Sequence, residues 1–246
     1  MKISLITATY NSEESIESCL NSIREQDYPE VEHIVIDGAS TDHTLEILDR
    51  HRDRIDHLVS EKDDGIYSAL NKGIEHATGE VIGFLHSDDL FAHPSVLSNY
   101  ARAFETGVDA VYADLKYVST DLKKTIRNWK SGEYRVDSFK RGWMPPHPTF
   151  YALKELYDRL GAFRAELRIS ADYESMLRLI HVNQISLAYL PEVTILMRVG
   201  GASNKSIENR LQANREDVLA WEMNGLKRPP LTRFLKPLRK IGQFLN

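Results

Sequence analysis

The chain has 246 residues, of which 42% are hydrophobic and 27% are charged. These proportions are close to those of soluble globular proteins and exclude a wholly disordered, collagen-like or coiled-coil chain. The single cysteine, Cys19, excludes an intramolecular disulfide and a cysteine-based zinc site. The apolar runs are too short for a membrane span or a signal-peptide core, so we expect a cytoplasmic protein.

The formal net charge of −5 conceals an uneven distribution of charge. Residues 226–246 contain six basic residues and no acidic residue, which leaves 25 basic against 36 acidic residues in the rest of the chain. An acidic body argues against nucleic acid as a partner, because a phosphate backbone attracts positive surfaces. A basic tail indicates an anionic surface as partner, such as the inner face of the cell membrane.

The first half of the chain alternates between strand patterns and helix patterns. Buried strands are predicted over 3–9, 33–36, 55–60, 81–85 and 110–113. Helices are predicted after a capping box formed by Asn11 and Glu14, after Ser40 and Thr41, and over 66–77 and 94–104. This alternation predicts an α/β fold with a mostly parallel central sheet and helices on both faces.

The regular alternation ends near residue 115. Helix patterns follow over 154–160, 172–181 and 206–223, and strand patterns over 185–190 and 193–198. The sequence contains neither an internal repeat nor a linker rich in Pro, Gly and Ser. We therefore predict one continuous domain over 1–225, with halves at 1–115 and 116–225, followed by a tail at 226–246.

Polar side chains follow four of the predicted strands, at the points where these strands end. They are Thr9-Tyr10-Asn11, Asp37, Asp63-Asp64 and Asp88-Asp89. Because ligands bind beyond the carboxyl ends of parallel strands, we expect these residues to line one crevice. Carboxylates at the end of a buried strand are costly unless a cation balances them, and a hard divalent cation bound with phosphate oxygens would do so. The alternative for the Asp88-Asp89 pair is a helix cap before Pro94.

Six segments resemble, in order and spacing, motifs of the family 2 glycosyltransferases. They are ITATYN at 6–11, VIDGASTDHT at 35–44, SEKDDGIYSALNKGIEHATGE at 60–80, FLHSDD at 84–89, ISADYESMLRL at 169–179 and RVGGAS at 198–203. The closest resemblance is to transferases of colanic-acid and capsular exopolysaccharide synthesis. It implies the GT-A fold, a Rossmann-like sheet with a C-terminal extension on the acceptor side.

The resemblance also implies roles for individual residues. Nucleotide-binding residues, in the half at 1–115, would be Thr7, Ala8, Tyr10, Asp37, Asp63, Asn71 and Asp88. Asp89 would hold a divalent metal, Mg²⁺ or Mn²⁺, on the donor diphosphate, and Asp172 would be the catalytic base, with Glu174 as a second candidate. His147 and Arg198 would contact the diphosphate or the acceptor.

Several of these residues have a structural alternative. Asp37 before Gly38 is also a common turn dipeptide. Asp172 also suits the first turn of a helix, because its charge complements the helix dipole. His147 and Arg198 also fit a packed loop histidine and a surface arginine.

The sequence predicts an inverting, metal-dependent glycosyltransferase that moves a sugar from a nucleotide-diphosphate sugar to a hydroxyl group of a glycan acceptor. In such transfer one carboxylate takes the proton of the attacking hydroxyl, and no protein nucleophile is needed. We expect a lipid-linked acceptor in exopolysaccharide, capsule or O-antigen-type synthesis. One alternative is a sugar nucleotidyltransferase, although residues 9–16 lack the Gly, Lys and Arg of a triphosphate loop. The other is a sugar-nucleotide-binding module without catalysis.

The tail has the composition of a helix that lies on an anionic lipid surface. Its apolar residues Phe234, Leu238, Ile241 and Leu245 recur at helical spacing among the basic residues. Pro237 restricts such a helix to the residues from about 236 onward, because proline is tolerated only in a first helical turn. We predict that the tail makes the protein peripheral to the membrane; the alternative is a helix packed on the body.

Overall fold

The computed structural model describes residues 1–199, 207–229 and 232. The strands are β1 (Ile3–Thr9), β2 (Val31–Asp37), β3 (His57–Ser60), β4 (Val81–Phe84), β5 (Asp89–Phe91), β6 (Ala110–Val118), β7 (Thr125–Trp129), β8 (Tyr151–Leu153) and β9 (Leu187–Arg198). The helices are α1 (Ile16–Arg24), α2 (Thr44–Arg50), α3 (Ile66–His76), α4 (Val96–Phe104), α5 (Lys154–Leu160), α6 (Ala171–Met176) and α7 (Ile207–Met223). A π-helical segment, Leu177–Val182, continues α6, and short 3₁₀ turns lie at Arg52–Arg54, Phe139–Arg141 and His147–Thr149.

These strands form one sheet in the order β3-β2-β1-β4-β8-β6-β9-β5, with β7 paired to β6. The first four strands are parallel, as predicted. The second half adds antiparallel pairs, β4 with β8, β6 with β8, β6 with β7 and β5 with β9, so the complete sheet is mixed rather than mostly parallel. Strand β6 runs through the predicted division at residue 115, so both halves share one sheet.

Helices cover both faces of the sheet because the residues of the buried strands alternate between the two faces. In β1, Leu5 belongs to a core cluster that also contains Cys19 of α1 and Leu97 of α4. The next residue, Ile6, belongs to a cluster on the opposite face with Leu70 of α3. The α/β fold predicted from the periodicity is thereby confirmed.

Helix α3 packs unusually close to β1 because Gly73 has no side chain at the contact. A Cβ atom at Gly73 would lie 2.4 Å from Cγ2 of Ile6. This close approach places the first turn of α3 beside the carboxyl end of β1.

Two predicted helix caps are wrong. Asn11 has a φ of 47° and its Oδ1 accepts a hydrogen bond of 2.8 Å from the Thr41 backbone N–H, whereas α1 begins five residues later, after Ser15. Likewise α2 begins at Thr44, after His43, while Ser40 binds Asp37. Both polar residues connect loops that are distant in sequence, and these contacts replace the local capping that the sequence pattern suggested.

Parts of the predicted tail contact the body. Arg228 lies 3.9 Å from the carboxylate of Asp217, and the buried Thr232 donates a 2.7 Å hydrogen bond to the carbonyl of Lys140. The remaining tail residues, 230–231 and 233–246, lie outside the described residues, as do residues 200–206, which include positions 200–203 of the RVGGAS motif. None of the described helices is long and apolar enough to cross a bilayer.

Candidate active site

The carboxyl ends of the parallel strands meet along one crevice. Thr9 of β1 pairs with Asp37 of β2, and the loops after β1 and β4 are joined by a 2.9 Å hydrogen bond between the hydroxyls of Ser12 and Ser87. The Glu61 backbone N–H donates to the Asp37 carbonyl at 3.0 Å, which adds the loop after β3. The structure thus brings together the four polar clusters of the sequence.

Asp37 is fully buried, and its carboxylate holds this crevice in shape. It accepts hydrogen bonds from the Ser40 backbone N–H at 3.0 Å, from the Ser40 hydroxyl, and from the Ser60 hydroxyl at 2.6 Å. These contacts agree with the alternative role of a turn residue, and they tie the end of β2 to the end of β3. A contact between Asp37 and a nucleobase stays a prediction.

Other residues that were predicted to bind nucleotide are also engaged within the chain. The amide of Asn71 makes two hydrogen bonds with the Phe163 backbone, at 2.8 and 2.9 Å. The Thr7 hydroxyl lies 3.0 Å from Nε2 of His33, and the Lys72 ammonium lies 2.7 Å from Oδ1 of Asp63. Their nucleotide contacts remain predictions.

Tyr10 and Ala8 differ in what they present to the crevice. Tyr10, at the end of β1, is 62% exposed, and an exposed aromatic ring suits stacking on a base. Ala8 is buried within β1, so its side chain forms part of the floor. Asp88, in the loop after β4, is half-buried.

Asp89 begins β5 and has a buried, unsatisfied carboxylate. It is 1% exposed, and neither carboxylate oxygen has a hydrogen-bond partner in the part of the chain that the structure describes. Burial and, to a smaller extent, the charge of Asp88 raise the pKa of Asp89 well above its usual range, while the Arg198 guanidinium opposes this shift. A buried carboxylate without a partner is costly, so this position favours a bound cation.

The donor set fits a hard divalent cation of the Mg²⁺ or Mn²⁺ type. Carboxylate oxygens from Asp88 and Asp89 are suitable ligands for such an ion, which takes its other ligands from phosphate and water. Over the described residues, however, no group of three His, Cys, Asp or Glu side chains is placed to hold a metal.

Arg198, at the end of β9, is not the surface arginine of the alternative prediction, because it is only 9% exposed. Its guanidinium donates to the Asp88 carbonyl and to the Ser18 hydroxyl, both at 2.8 Å. It therefore fixes the backbone between the two aspartates and places a positive charge beside them. Contact with a diphosphate stays a prediction.

His147 and His86 form a half-buried pair next to these aspartates. Their ring centroids are 5.7 Å apart, and His147 also packs against Phe84 and Phe163 at 5.2 and 5.5 Å. Desolvation, with a smaller contribution from His86, lowers the pKa of His147 to about 3, so its imidazole is neutral near pH 7. His147 Nε2 and His86 Nδ1 have no hydrogen-bond partner among the described residues. A neutral imidazole whose ring nitrogen has no hydrogen-bond partner is suited to bind a sugar hydroxyl.

Asp172 is half-buried in the first turn of α6. Its Oδ1 accepts hydrogen bonds from the Tyr67 hydroxyl at 3.1 Å and from the Tyr173 backbone N–H at 2.8 Å. Tyr117 in β6 responds to the charges of both Asp172 and Asp89. Burial is the largest cause that raises the pKa of Tyr117, Arg127 lowers it, and the two carboxylates raise it further. The two carboxylates therefore lie within electrostatic range of one ring, although 83 residues separate them in sequence.

Helix α7 holds the segment that leads into α6. The carboxylate of Glu216 accepts hydrogen bonds from three consecutive backbone N–H groups, of Arg168, Ile169 and Ser170, at 3.1, 2.8 and 2.8 Å. No sequence pattern indicates this contact, because its partners lie 46 to 48 residues apart and Glu216 belongs to an ordinary helix pattern.

Glu174, the second candidate base, is instead a structural residue. It is fully buried and forms ion pairs with Arg178 at 3.1 Å and Arg164 at 3.3 Å. A fully buried carboxylate held by two guanidinium groups cannot reach the hydroxyl of an acceptor, so Glu174 is not a candidate base.

A cavity of about 400 Å³ lies between the first turn of α3 and the segment that contains Ala165 and Arg168. Tyr67 lines this cavity, and its hydroxyl also donates a 3.1 Å hydrogen bond to Asp172. The volume is in the range of small-molecule sites. The cavity and the candidate base thus share one neighbour, Tyr67.

Known proteins are similar to this chain in sequence. The family model "Glycosyl transferase family 2" matches residues 4–163. An uncharacterised glycosyltransferase of Mycobacterium tuberculosis is 30% identical over 187 residues, which cover 72% of this chain and 68% of the relative.

Two solved structures share the fold. Staphylococcus aureus TarS 1–349, in complex with UDP-GlcNAc, has a TM-score of 0.70 and 21% identity, over 96% of this chain and 70% of that chain. The mannosyltransferase PcManGT of Pyrobaculum calidifontis, in complex with GDP-Man and Mn²⁺, has a TM-score of 0.66 and 24% identity, over 95% of this chain and 68% of that chain. At these identities the likeness concerns the fold.

Proposed function

This chain belongs to the family 2 glycosyltransferases, and from that premise we propose that it transfers a sugar from a nucleotide-diphosphate sugar to an acceptor hydroxyl, with inversion at the anomeric carbon. The observation that carries the proposal is the position of Asp172. Its carboxylate is held by Tyr67 and the Tyr173 N–H, within electrostatic range of the same ring as Asp89. The family match favours this function over the nucleotidyltransferase that the sequence left open.

The donor class is supported by the two solved structures, whose ligands are UDP-GlcNAc and GDP-Man. We propose that the exposed ring of Tyr10 stacks on the base, that Asp88 contacts the nucleotide, and that the buried, unpartnered carboxylate of Asp89 holds Mg²⁺ or Mn²⁺ at the diphosphate. When bound, the ion supplies Lewis-acid stabilisation of the leaving diphosphate. Arg198 keeps the backbone of Asp88 in position through the 2.8 Å hydrogen bond to its carbonyl.

The proton transfer is assigned to Asp172. As the acceptor oxygen attacks the anomeric carbon, its proton passes to the Asp172 carboxylate, while the bond from that carbon to the diphosphate oxygen breaks. The direct displacement inverts the configuration of the sugar, and no covalent sugar–enzyme intermediate forms. His147 and His86, neutral and half-buried beside the aspartates, are proposed to orient sugar hydroxyls.

The acceptor is proposed to be a lipid-linked glycan in exopolysaccharide, capsule or O-antigen-type synthesis. Support comes from the basic residues of 226–246 other than Arg228, which lies against Asp217; these five would bring an acidic body to an anionic membrane surface.

Product analysis tests the proposed function. The protein is incubated with Mn²⁺, a glycan acceptor and each of UDP-, GDP-, CDP- and dTDP-sugars, chosen first by the thermal stabilisation that each free nucleotide gives. We expect release of one nucleoside diphosphate and a glycoside of inverted configuration. A glycoside with the donor's configuration would contradict the inverting mechanism, and nucleotide binding without any transfer would favour the binding-module alternative.

A further inference from the structure

Tyr67 connects the donor half of the molecule to the candidate base. It lies in the first turn of α3, is 8% exposed, and packs against Phe163 with a ring-centroid distance of 5.6 Å. Its hydroxyl lies 2.8 Å from the Ile169 carbonyl and 3.1 Å from Oδ1 of Asp172. Neither the sequence pattern nor the family resemblance predicted a role for Tyr67.

The hydroxyl of Tyr67 has one proton and two acceptors. A phenol oxygen and a carboxylate oxygen at 3.1 Å repel each other unless a proton lies between them, so the proton is shared between Asp172 and the Ile169 carbonyl. The Tyr173 N–H also meets Oδ1 of Asp172. Because both donors meet the same oxygen, rotation of the carboxylate away from this orientation would break both hydrogen bonds.

The charges around this contact favour a neutral phenol that donates. Burial is the largest cause that raises the pKa of Tyr67 well above its usual range, and the charges of Asp172 and, more weakly, Glu216 act in the same direction. The charge of Asp172 also contributes, as the smallest cause, to the raised pKa of Tyr117 in β6. The Tyr67 hydroxyl is therefore protonated near pH 7 and acts as a hydrogen-bond donor to the Asp172 carboxylate and the Ile169 carbonyl.

We propose that Tyr67 is a positioning residue for Asp172: its hydroxyl donates to Oδ1 and fixes the orientation in which the carboxylate takes the acceptor proton. The inference rests on the proposed function, since it assumes that Asp172 takes the acceptor proton. Tyr67 follows directly on the Asp63-Asp64-Gly65 loop of the donor half. The base is therefore anchored to the element that carries the donor-binding loop, as well as to its own helix.

The variant Tyr67→Phe tests this role, because it removes only the hydroxyl. Loss of a hydrogen bond to a charged group disfavours the ionised form, so the acidic limb of the kcat–pH profile should move up by about one unit. Misorientation of the base should lower kcat roughly 10-fold at the pH optimum, with the donor Kd unchanged. The midpoint pH of the acidic limb does not depend on the amount of folded enzyme. A loss of stability therefore cannot imitate the shift.

Tyr157→Phe is the matched control. Tyr157 packs against the same Phe163 ring, at 6.3 Å, and belongs to the same core cluster. In this variant, the acidic limb of the kcat–pH profile and the kcat at the optimum should equal those of the wild type. The inference would be overturned if Tyr67→Phe had the same kcat as the wild type and the same acidic limb in its kcat–pH profile.

Asp172→Asn, measured in parallel, separates this inference from the proposed function. Loss of turnover in Asp172→Asn together with a wild-type profile in Tyr67→Phe refutes the positioning role alone. Full turnover in Asp172→Asn refutes the proposed base, and with it the basis of the positioning role.

Discussion

Replacement of Asp89 by asparagine is expected to stabilise the protein without nucleotide and to abolish metal-dependent nucleotide binding. The Asp89 carboxylate is 1% exposed, and both of its oxygens lack a hydrogen-bond partner in the described chain. The like charge of Asp88 acts on it as well. Asparagine keeps the shape of the side chain and removes the buried charge, so the protein without ligand loses an unfavourable interaction.

The size of this effect follows from the cost of burying a polar group without a partner, about 1–3 kcal/mol in protein mutational data. The asparagine amide is also a buried polar group without a partner, so part of the cost remains. The substitution also removes the favourable interaction between the Asp89 carboxylate and the Arg198 guanidinium, which reduces the gain further. We therefore expect the low end, about 1 kcal/mol. For a chain of this length, that free energy corresponds to a rise in Tm of about 2–4 °C.

Thermal unfolding in EDTA measures this gain, and a second series adds Mn²⁺ and the preferred nucleoside diphosphate. At a ligand concentration of about 100 times Kd, the wild-type protein should gain about 2.7 kcal/mol, and Asp89→Asn should gain nothing, so the order of the two Tm values reverses. Because no group of three metal-ligating side chains is present in the described residues, Mn²⁺ alone should stabilise neither protein much. Asp53→Asn, at a side chain that is 75% exposed, controls for the change of residue type.

The reasoning is refuted by an Asp89→Asn protein that is less stable than wild type in EDTA and still gains stability from nucleotide with Mn²⁺. That result would mean that Asp89 is satisfied by the protein itself and does not hold the metal.

Three further predictions concern the base, the fold and the tail. Asp172→Asn should lower turnover by about 10²–10⁴-fold at unchanged donor affinity, measured by steady-state kinetics and calorimetry, because an amide cannot accept the proton; a parallel fall in affinity would indicate a binding role. Although burial raises the pKa of Glu32, hydrogen bonds from Lys2, Ser4 and Thr78 lower it to about 2, below the ordinary value of 4.5. Its stabilisation is therefore present above pH 4.5 and is lost as the pH falls toward 2. Glu32→Gln should then cost about 2 kcal/mol in urea unfolding at about pH 7 and much less at about pH 3; an equal cost at both pH values would contradict this. Glutamine at Arg233, Lys236, Arg239 and Lys240 should reduce sedimentation with anionic liposomes at low salt, whereas glutamine at the exposed Arg54, Lys62, Lys123 and Lys124 should not; equal sedimentation of both variants would exclude the tail as the membrane contact.

The sequence by itself determined the first half of the fold and the location of the crevice. The buried strands read as apolar runs, and in a parallel sheet the polar residues that follow them must meet at one edge. For this reason the order of residues alone placed Asp37, Asp63 and the Asp88-Asp89 pair at one edge of the sheet; their role in binding stays a prediction. Each of these signals is local, because a strand and the turn that ends it are adjacent in the chain.

Tertiary structure alone decided how the site residues are held. Asn11 binds Thr41 rather than capping α1, Glu174 is neutralised by Arg164 and Arg178, and Asp172 is held by Tyr67, which is 105 residues away. The sequence contains the donors and acceptors for all of these contacts, but a hydrogen bond or an ion pair forms according to distance in space. Such distances are fixed only when the sheet and its covering helices pack together, and that packing depends on contacts that no local pattern records.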